Sequence, residues 1–187
     1  MKKLFSILTL IACLLFASEV YAQSATKFYS GAIGRSVYTV AVKGNKAYAI
    51  TSYMGCGAEW CKCTAVTANS ITINGEKFTR TATALKCGGE KLPLAKASDC
   101  LVLEHENYVI ISDLTTYEAP YFTGAIYEKD TKKAFSIEGT ISKTQITFKA
   151  TENENLQGDL YKDGTKWAGS VFGSDGGIWR PAYFKAF

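Results

Sequence analysis

Apolar and polar residues alternate with a period of two along most of the chain after residue 22, and helical periodicity is almost absent. Residues 36–42 alternate in this way, Gly44-Asn45 follows, and residues 46–53 form a second alternating run. A pair of this kind between two runs is typical of a two-residue hairpin, and Asn74-Gly75 is the strongest such signal. The pattern therefore predicts short antiparallel strands joined by tight turns.

Strand-like runs continue to the C-terminus and flank polar turns such as Asp163-Gly164. The spacing predicts roughly ten to twelve short strands, which favours an all-β antiparallel meander. We expect this meander to close, or nearly close, into an up-and-down barrel, because closure removes exposed sheet edges; a β-sandwich is the alternative. One long interruption, residues 86–99 with paired glycines and Pro93, has little strand pattern and is predicted to form a loop or a short helix.

A short internal similarity accompanies this pattern. Residues 28–33 (FYSGAI) resemble residues 121–126 (YFTGAI), and residues 167–171 (WAGSV) are a looser third copy. A glycine inside a strand often marks a bend or the close approach of another segment. An internal duplication and chance matching in an aromatic-rich β sequence both remain open as explanations.

The first 22 residues have the organisation of a secretory signal peptide. Two lysines precede an uncharged apolar run at residues 4–17, and Ala22 ends a segment suited to cleavage. We therefore predict a periplasmic or secreted protein, cut after Ala22, whose residues 23–187 form a single β domain without stable membrane insertion. A lipoprotein-type cut at Cys13 is disfavoured, because it would leave a very short apolar region before the cut.

Export changes the interpretation of the cysteines, because an oxidising compartment favours disulfides. Five cysteines follow the predicted cut, so at least one thiol stays unpaired. The first expected pair is Cys87–Cys100, which would close the segment between them. The second joins Cys56 to Cys61 or Cys63; a bond between Cys61 and Cys63 is geometrically poor, because they lie two residues apart.

Metal binding is the alternative use of this cysteine cluster. Cys56, Cys61 and Cys63 supply the soft ligands that Cu(I) takes, or Zn(II) through thiolates. Their spacing, C-x4-C-x-C, is not a standard zinc pattern, and a fourth ligand would have to come from elsewhere. The chain also lacks a Walker loop, a dinucleotide fingerprint, an EF-hand loop and an HExxH motif, so no cofactor is predicted.

The chain has a single histidine, His105, which limits the catalytic options. It lies between two glutamates in a predicted hairpin turn, where we expect it to be exposed and its pKa to be raised by those carboxylates. No catalytic residue is assigned, and a secreted hydrolase that uses paired carboxylates is the enzymatic alternative. The carboxylates available for it, none of which the spacing singles out, are Glu104, Glu106, Asp113, Glu118, Asp159, Asp163 and Asp175.

The charge pattern argues against nucleic acid as a partner. The formal net charge is +4, but the basic residues are scattered, and the arginines are Arg35, Arg80 and Arg180 alone. A nucleic-acid surface usually has a basic stripe rich in arginine.

The C-terminal segment carries the candidate binding residues Trp167, Asp175, Trp179, Arg180 and Tyr183. They lie in or beside the glycine-rich stretch 173–177, and a loop on a rigid β scaffold is a common place for recognition. Arginine next to tryptophan or tyrosine is a frequent binding anchor. Packing of these aromatic residues in the core is the structural alternative.

The predicted architecture resembles that of small periplasmic β-barrel proteins, such as calycin-like carriers and lysozyme inhibitors. No motif aligns with those families, so no residue role is carried over. We expect an exported, non-enzymatic binding protein that holds a small apolar ligand or inhibits a partner protein such as a hydrolase.

Overall fold

The structure, a computed structural model, describes residues 25–53, 57–175 and 179–187. The predicted signal peptide, its cleavage site, Cys13 and Cys56 lie outside these ranges. Among the residues described, no helix is both long enough and apolar enough to span a lipid bilayer.

Antiparallel strands make up almost all of the regular structure, as the alternation predicted. The first half of the described chain holds β1 (Lys27–Ile33), β2 (Ser36–Lys43), β3 (Lys46–Tyr53), β4 (Ala58–Cys61), β5 (Cys63–Thr64), β6 (Ser70–Ile73), β7 (Glu76–Arg80), β8 (Ala84–Cys87) and β9 (Glu90–Pro93). A short 3-10 helix (Ala97–Asp99) follows. The second half holds β10 (Cys100–Glu104), β11 (Tyr108–Asp113), β12 (Tyr121–Glu128), β13 (Lys133–Ile141), β14 (Gln145–Ala150), β15 (Gln157–Asp163), β16 (Lys166–Phe172) and β17 (Trp179–Ala186).

Strands β10–β17 form a closed eight-stranded barrel in sequence order, which we call the C-terminal barrel. The last strand closes on the first through the pairs Leu103↔Ala186 and Glu104↔Lys185. The prediction of a closed up-and-down barrel is therefore confirmed for this half of the chain. Buried side chains fill the interior, among them Phe122, Phe148 and Phe184.

Strands β1–β9 form two sheets, β1–β4 and β5–β9, which we call the N-terminal lobe. Lys62 alone separates β4 from β5, and β1 meets the end of β9 through the bridge Tyr29↔Leu94. The sheets enclose one apolar cluster that includes Tyr29, Phe78 and Leu92. The sequence pattern predicted β2, β3, β6 and β7 of this lobe, but not its short strands β4, β5, β8 and β9 or its separation from the barrel.

A third apolar cluster joins the lobe to the outer face of the barrel. Ile50 of β3 and Ala58 of β4 pack with Ile111 of β11. The Trp60 ring stacks on Tyr127 of β12, with ring centroids 4.8 Å apart. That residues 23–187 fold as one domain stays a prediction.

The segment 86–99 differs from the sequence prediction. Its paired glycines form the turn of the hairpin β8–β9, with Gly88 at φ 58°. The pattern was missed because the flanking strands are only four residues long. The expected short helix is confirmed at residues 97–99.

Candidate functional site

A groove of about 810 Å³ lies on the outer face of the C-terminal barrel, across β12–β15 and the end of β16. Its volume falls within the range of small-ligand sites. The groove has aromatic side chains from Tyr117, Tyr121 and Phe172. Its polar side chains are Thr123, Glu138, Thr140, Thr147, Lys149, Gln157 and Asp159.

The strand register explains how these side chains reach one surface. Cross-strand pairing aligns Tyr121, Thr140, Thr147 and Asp159 in one row. A parallel row holds Thr123, Glu138, Lys149, Gln157 and Phe172. Because alternate residues of a strand face opposite sides, both rows lie on the face opposite the barrel core.

The row between them is Phe122–Gly139–Phe148–Gly158, and its two phenylalanine side chains turn into the core. The glycines are required by close approach. A Cβ at Gly139 would lie 1.9 Å from the Thr147 carbonyl oxygen, and one at Gly158 would lie 2.3 Å from the Phe148 ring. At Gly139 the β14 backbone, and at Gly158 the Phe148 ring, lies where a side chain would otherwise be. These two close contacts determine the local shape of the sheet under the groove.

Hydrogen bonds and one ion pair orient the polar side chains of the groove. Lys149 Nζ lies 3.1 Å from Glu138 Oε1, and the hydroxyls of Thr140 and Thr147 are 2.8 Å apart. At the edge of the groove, Asp159 accepts a hydrogen bond from Gln145 Nε2 at 3.0 Å.

Asp159 also accepts a hydrogen bond of 2.8 Å from the Tyr161 hydroxyl. This bond is the largest cause of a raised pKa at Tyr161. The hydrogen bonds from Tyr161 and Gln145 together hold the Asp159 carboxylate and the Tyr161 phenol in one arrangement beside the groove.

The structure separates the candidate binding residues that lie close together in the sequence. Trp167 is buried in the barrel core and pairs across strands with Phe184, whereas Tyr183 lies on the outer face. Trp179 and Arg180 belong to β17, but their side chains lie outside what the structure describes. The sequence missed the groove because its residues come from strands spread over more than fifty positions.

Asp175 lines a second, smaller pocket of about 250 Å³ at one end of the barrel. Beside it, the buried Glu128 accepts hydrogen bonds from the Ser174 hydroxyl at 2.7 Å and the Thr131 hydroxyl at 2.9 Å. These bonds tie the loop after β16 to the end of β12, which is a structural role.

His105 is half-buried rather than exposed, which corrects the sequence expectation. Its ring lies 5.6 Å from the Tyr108 ring and 5.3 Å from the Phe184 ring, and its Nδ1 accepts a 3.1 Å hydrogen bond from the Asn107 amide. Burial lowers the pKa of His105 below its ordinary value, against the opposite effect of Glu106. The prediction of a raised pKa is wrong, because it counted the neighbouring charges but not the loss of solvent.

The predicted Cys87–Cys100 disulfide is also wrong, since both thiols are free. Cys87 ends β8 in the N-terminal lobe, and its Sγ donates to Glu76 Oε2 at 3.9 Å, whereas Cys100 begins the barrel. The segment between them is ordered without a disulfide, because it forms a hairpin and a short 3-10 helix. The predicted pairing of Cys56 lies outside the described residues.

Cys61 and Cys63 are also free thiols, and both contact the apolar core of the N-terminal lobe. Burial raises the pKa of Cys61 to about 11 and that of Cys63 to about 12. Cys100 is raised to about 12, by burial and then by Asp113. Within the described parts of the chain, no three His, Cys, Asp or Glu side chains converge on a possible metal position.

We expect these three thiols to be almost inert in the native protein. Because thiolate is the reactive form, Cys61, Cys63 and Cys100 should react with maleimide near neutral pH at least about a hundredfold more slowly than in urea. The half-exposed Cys87 serves as the internal comparison and should react fastest of the four. Timed labelling followed by peptide mass spectrometry measures each rate, and equal rates in buffer and in urea would contradict the assignment.

The fold defines an antiparallel all-β protein with one closed eight-stranded barrel and a two-sheet lobe; the barrel interior is filled, and the larger groove lies on the outside of the barrel. Comparison of the chain with protein-family models, with curated proteins and with solved structures finds no match.

Proposed function

We propose that this protein is an exported, non-enzymatic binding protein that takes its ligand in the groove on the outer face of β12–β15. The observation that supports this most strongly is the contrast between the two sides of the barrel wall. Core side chains occupy the inside, whereas the outside carries an 810 Å³ groove with oriented polar groups. Concave sites with a few convergent polar groups are the usual places for ligand binding.

The side chains of the groove indicate the kind of ligand. Its walls combine aromatic rings with hydroxyl, carboxylate, amide and ammonium groups, and the lining residues include no Leu, Ile, Val, Ala or Met. A purely apolar ligand would displace the water that solvates these polar groups without replacing its hydrogen bonds, which is costly. A ligand that has both polar groups and flat apolar surfaces fits better than the small apolar molecule expected from the sequence.

A hydrolase acting in the same groove would have to use Glu138 and Asp159, the two carboxylates in its lining. Glu138 is paired with Lys149, and Asp159 accepts from Gln145 and Tyr161. Both are thus engaged as acceptors, and no free acid stands opposite them in the lining. Binding without turnover is therefore the function that we propose.

The groove assignment predicts where small molecules bind. In amide NMR spectra, a library of small aromatic and polar fragments should shift resonances of β12–β15 more than those of β5–β9. The N-terminal lobe of the same sample is the control. Shifts confined to the lobe or to the barrel ends, or hydrolysis that Glu138→Gln abolishes in a broad substrate screen, would contradict the proposal.

A further inference from the structure

We infer that the groove binds a neutral carbohydrate chain, and that this chain continues from the groove onto a pair of exposed tyrosines, Tyr161 and Tyr183. The inference rests on the proposed binding function and names its ligand class. It depends on three observations: the exposure of the tyrosines, their spacing, and the chemistry of the side chains between them.

The outer face of the barrel exposes large aromatic side chains to an unusual degree. Tyr121 is 63% exposed, Tyr161 51% and Tyr183 64%. Tyr121 lines the groove, and Tyr161 is hydrogen-bonded to Asp159, which also lines it. Tyr121 and Tyr161 therefore belong to one continuous surface, and Tyr183 extends it, because Tyr183 and Tyr161 both pair across strands with Ala168.

The strand register sets the spacing of Tyr161 and Tyr183, which we call the tyrosine platform. Tyr161 of β15 and Tyr183 of β17 both pair across strands with Ala168 of β16, so the small alanine lies between the two rings. Neighbouring strands are about 4.8 Å apart, which places the two tyrosine backbones about 10 Å apart. This separation suits an extended chain of sugar rings, in which every second ring presents the same face.

The chemistry of the surface matches that of a sugar ring, which has C–H groups on its faces and hydroxyls around its edge. A tyrosine ring offers a flat apolar surface for the former. The Gln145 amide and the Asp159 carboxylate offer donors and acceptors for the latter. Because existing hydrogen bonds already orient these groups, little side-chain entropy is lost when a ligand binds.

Other ligand classes fit this surface less well. An acyl chain would need aliphatic walls, which the groove lacks. A polyanion would meet two carboxylates, Glu138 and Asp159, against the single cation Lys149. A protein partner would be expected to meet a central cluster of apolar anchors surrounded by a polar rim, whereas here each row is polar along its middle and has its one aromatic side chain at an end. None of these three mismatches applies to a neutral glycan.

The test uses a panel of hexasaccharides as probes: cellohexaose, xylohexaose, mannohexaose and N-acetylchitohexaose, with hexagalacturonate as the charged comparison. Amide NMR titration of the mature protein should show saturable shifts with at least one neutral hexasaccharide, in β12–β15 and around Tyr161 and Tyr183. Hexagalacturonate should bind more weakly than the neutral probe.

Tyrosine variants then locate the contacts. Tyr121→Ala, Tyr161→Ala and Tyr183→Ala should each weaken binding of the neutral probe by about tenfold, the scale expected for loss of one aromatic contact. Tyr161→Phe retains the ring and should lose less affinity than Tyr161→Ala. Tyr53→Ala is the matched control, because Tyr53 is 46% exposed but lies on β3 of the N-terminal lobe. Each variant is shown to be folded if the amide resonances of residues distant from the substitution are the same as in the wild type.

Two results would overturn the carbohydrate assignment. One is the absence of saturable binding by every neutral hexasaccharide while the small fragments still shift the groove; the binding function would then survive without its ligand class. The other is binding that the groove and platform variants weaken no more than Tyr53→Ala does. If neither fragments nor sugars shift the groove, the proposed function fails as well.

Discussion

Gly139→Ala should lower the free energy of unfolding by about 3 kcal/mol, at the upper end of the usual cost of overpacking. A Cβ at this position would lie 1.9 Å from the Thr147 carbonyl oxygen and 2.9 Å from the Phe148 Cα. Both are backbone atoms of β14, so the clash is relieved only if β13 and β14 separate. Urea unfolding followed by tryptophan fluorescence measures the change.

Gly89→Ala is the control for this substitution. Gly89 lies in the turn between β8 and β9, and a Cβ there would meet nothing within 4 Å. We expect its effect to stay within about 0.5 kcal/mol, as for an ordinary surface position. Equal stabilities of the two variants would show that the barrel relaxes at β13–β14 more easily than its register indicates.

The second large effect is expected at Asp113, where Asp113→Asn should cost about 2 kcal/mol at neutral pH, the scale of hydrogen bonds to a charged group. This buried carboxylate accepts hydrogen bonds from Ser30 Oγ at 2.9 Å and Thr39 Oγ1 at 2.8 Å. Thr115 donates to it from both its amide, at 2.8 Å, and its hydroxyl, at 2.6 Å. Because Ser30 and Thr39 belong to the N-terminal lobe, the carboxylate ties the lobe to the barrel.

The pH dependence follows from the direction of the pKa shift. Burial alone would raise the pKa of Asp113, but the hydrogen bonds from Thr115, Thr39 and Ser30 outweigh it and hold the pKa below its ordinary value. The stabilisation is therefore complete above about pH 4, the ordinary pKa of an aspartate, and is lost as the pH falls through the lower folded-state value.

Urea unfolding of wild type and Asp113→Asn at neutral pH and in acid measures this dependence. The difference in the free energy of unfolding between wild type and Asp113→Asn should be largest at neutral pH and should decrease in acid. Asp163→Asn, at an exposed position next to the β15–β16 turn, is the matched control and should change stability little at either pH. A deficit of Asp113→Asn that stayed constant into strong acid would contradict the role of the carboxylate charge.

The hairpin turns are the part of the fold that local sequence predicts best. Asn74 and Gly75 adopt φ values of 50° and 90°, the left-handed conformation that a two-residue hairpin turn requires. Likewise Gly44 has a φ of 59° between β2 and β3, at the turn that the alternation predicted. Such turns are specified by neighbouring residues, because few residue types adopt that backbone conformation without strain.

The glycines of the similar segments show what local sequence does not predict, namely which atoms approach them. Gly124 and Gly169, in two of the three similar segments, would each place a Cβ within 2.4 Å of a carbonyl oxygen of the adjacent strand. The sequence indicated that something approaches these positions closely. Only the pairing of β12 with β11, and of β16 with β15, shows that it is backbone.

The exposure predicted for His105, the disulfide predicted for Cys87 and the core position of Trp167 show one common limit of the sequence. Each was interpreted from its neighbours in sequence, as an exposed turn residue, a disulfide partner and a binding residue respectively. Tyr108 and Phe184 bury the histidine, a hairpin separates the cysteine from its expected partner, and the barrel core contains the tryptophan. Burial and long-range proximity depend on the closed fold.

The sequence alone determined that the chain is an antiparallel β protein, where its main turns lie, and which residues of each strand share a face. The tertiary structure decided that the strands divide into a lobe and a closed barrel, and that five strands of the barrel place Tyr121, Asp159 and Phe172 around one groove. The physical reason is that alternation fixes the side of the sheet on which a side chain lies, whereas strand pairing and barrel closure fix its neighbours.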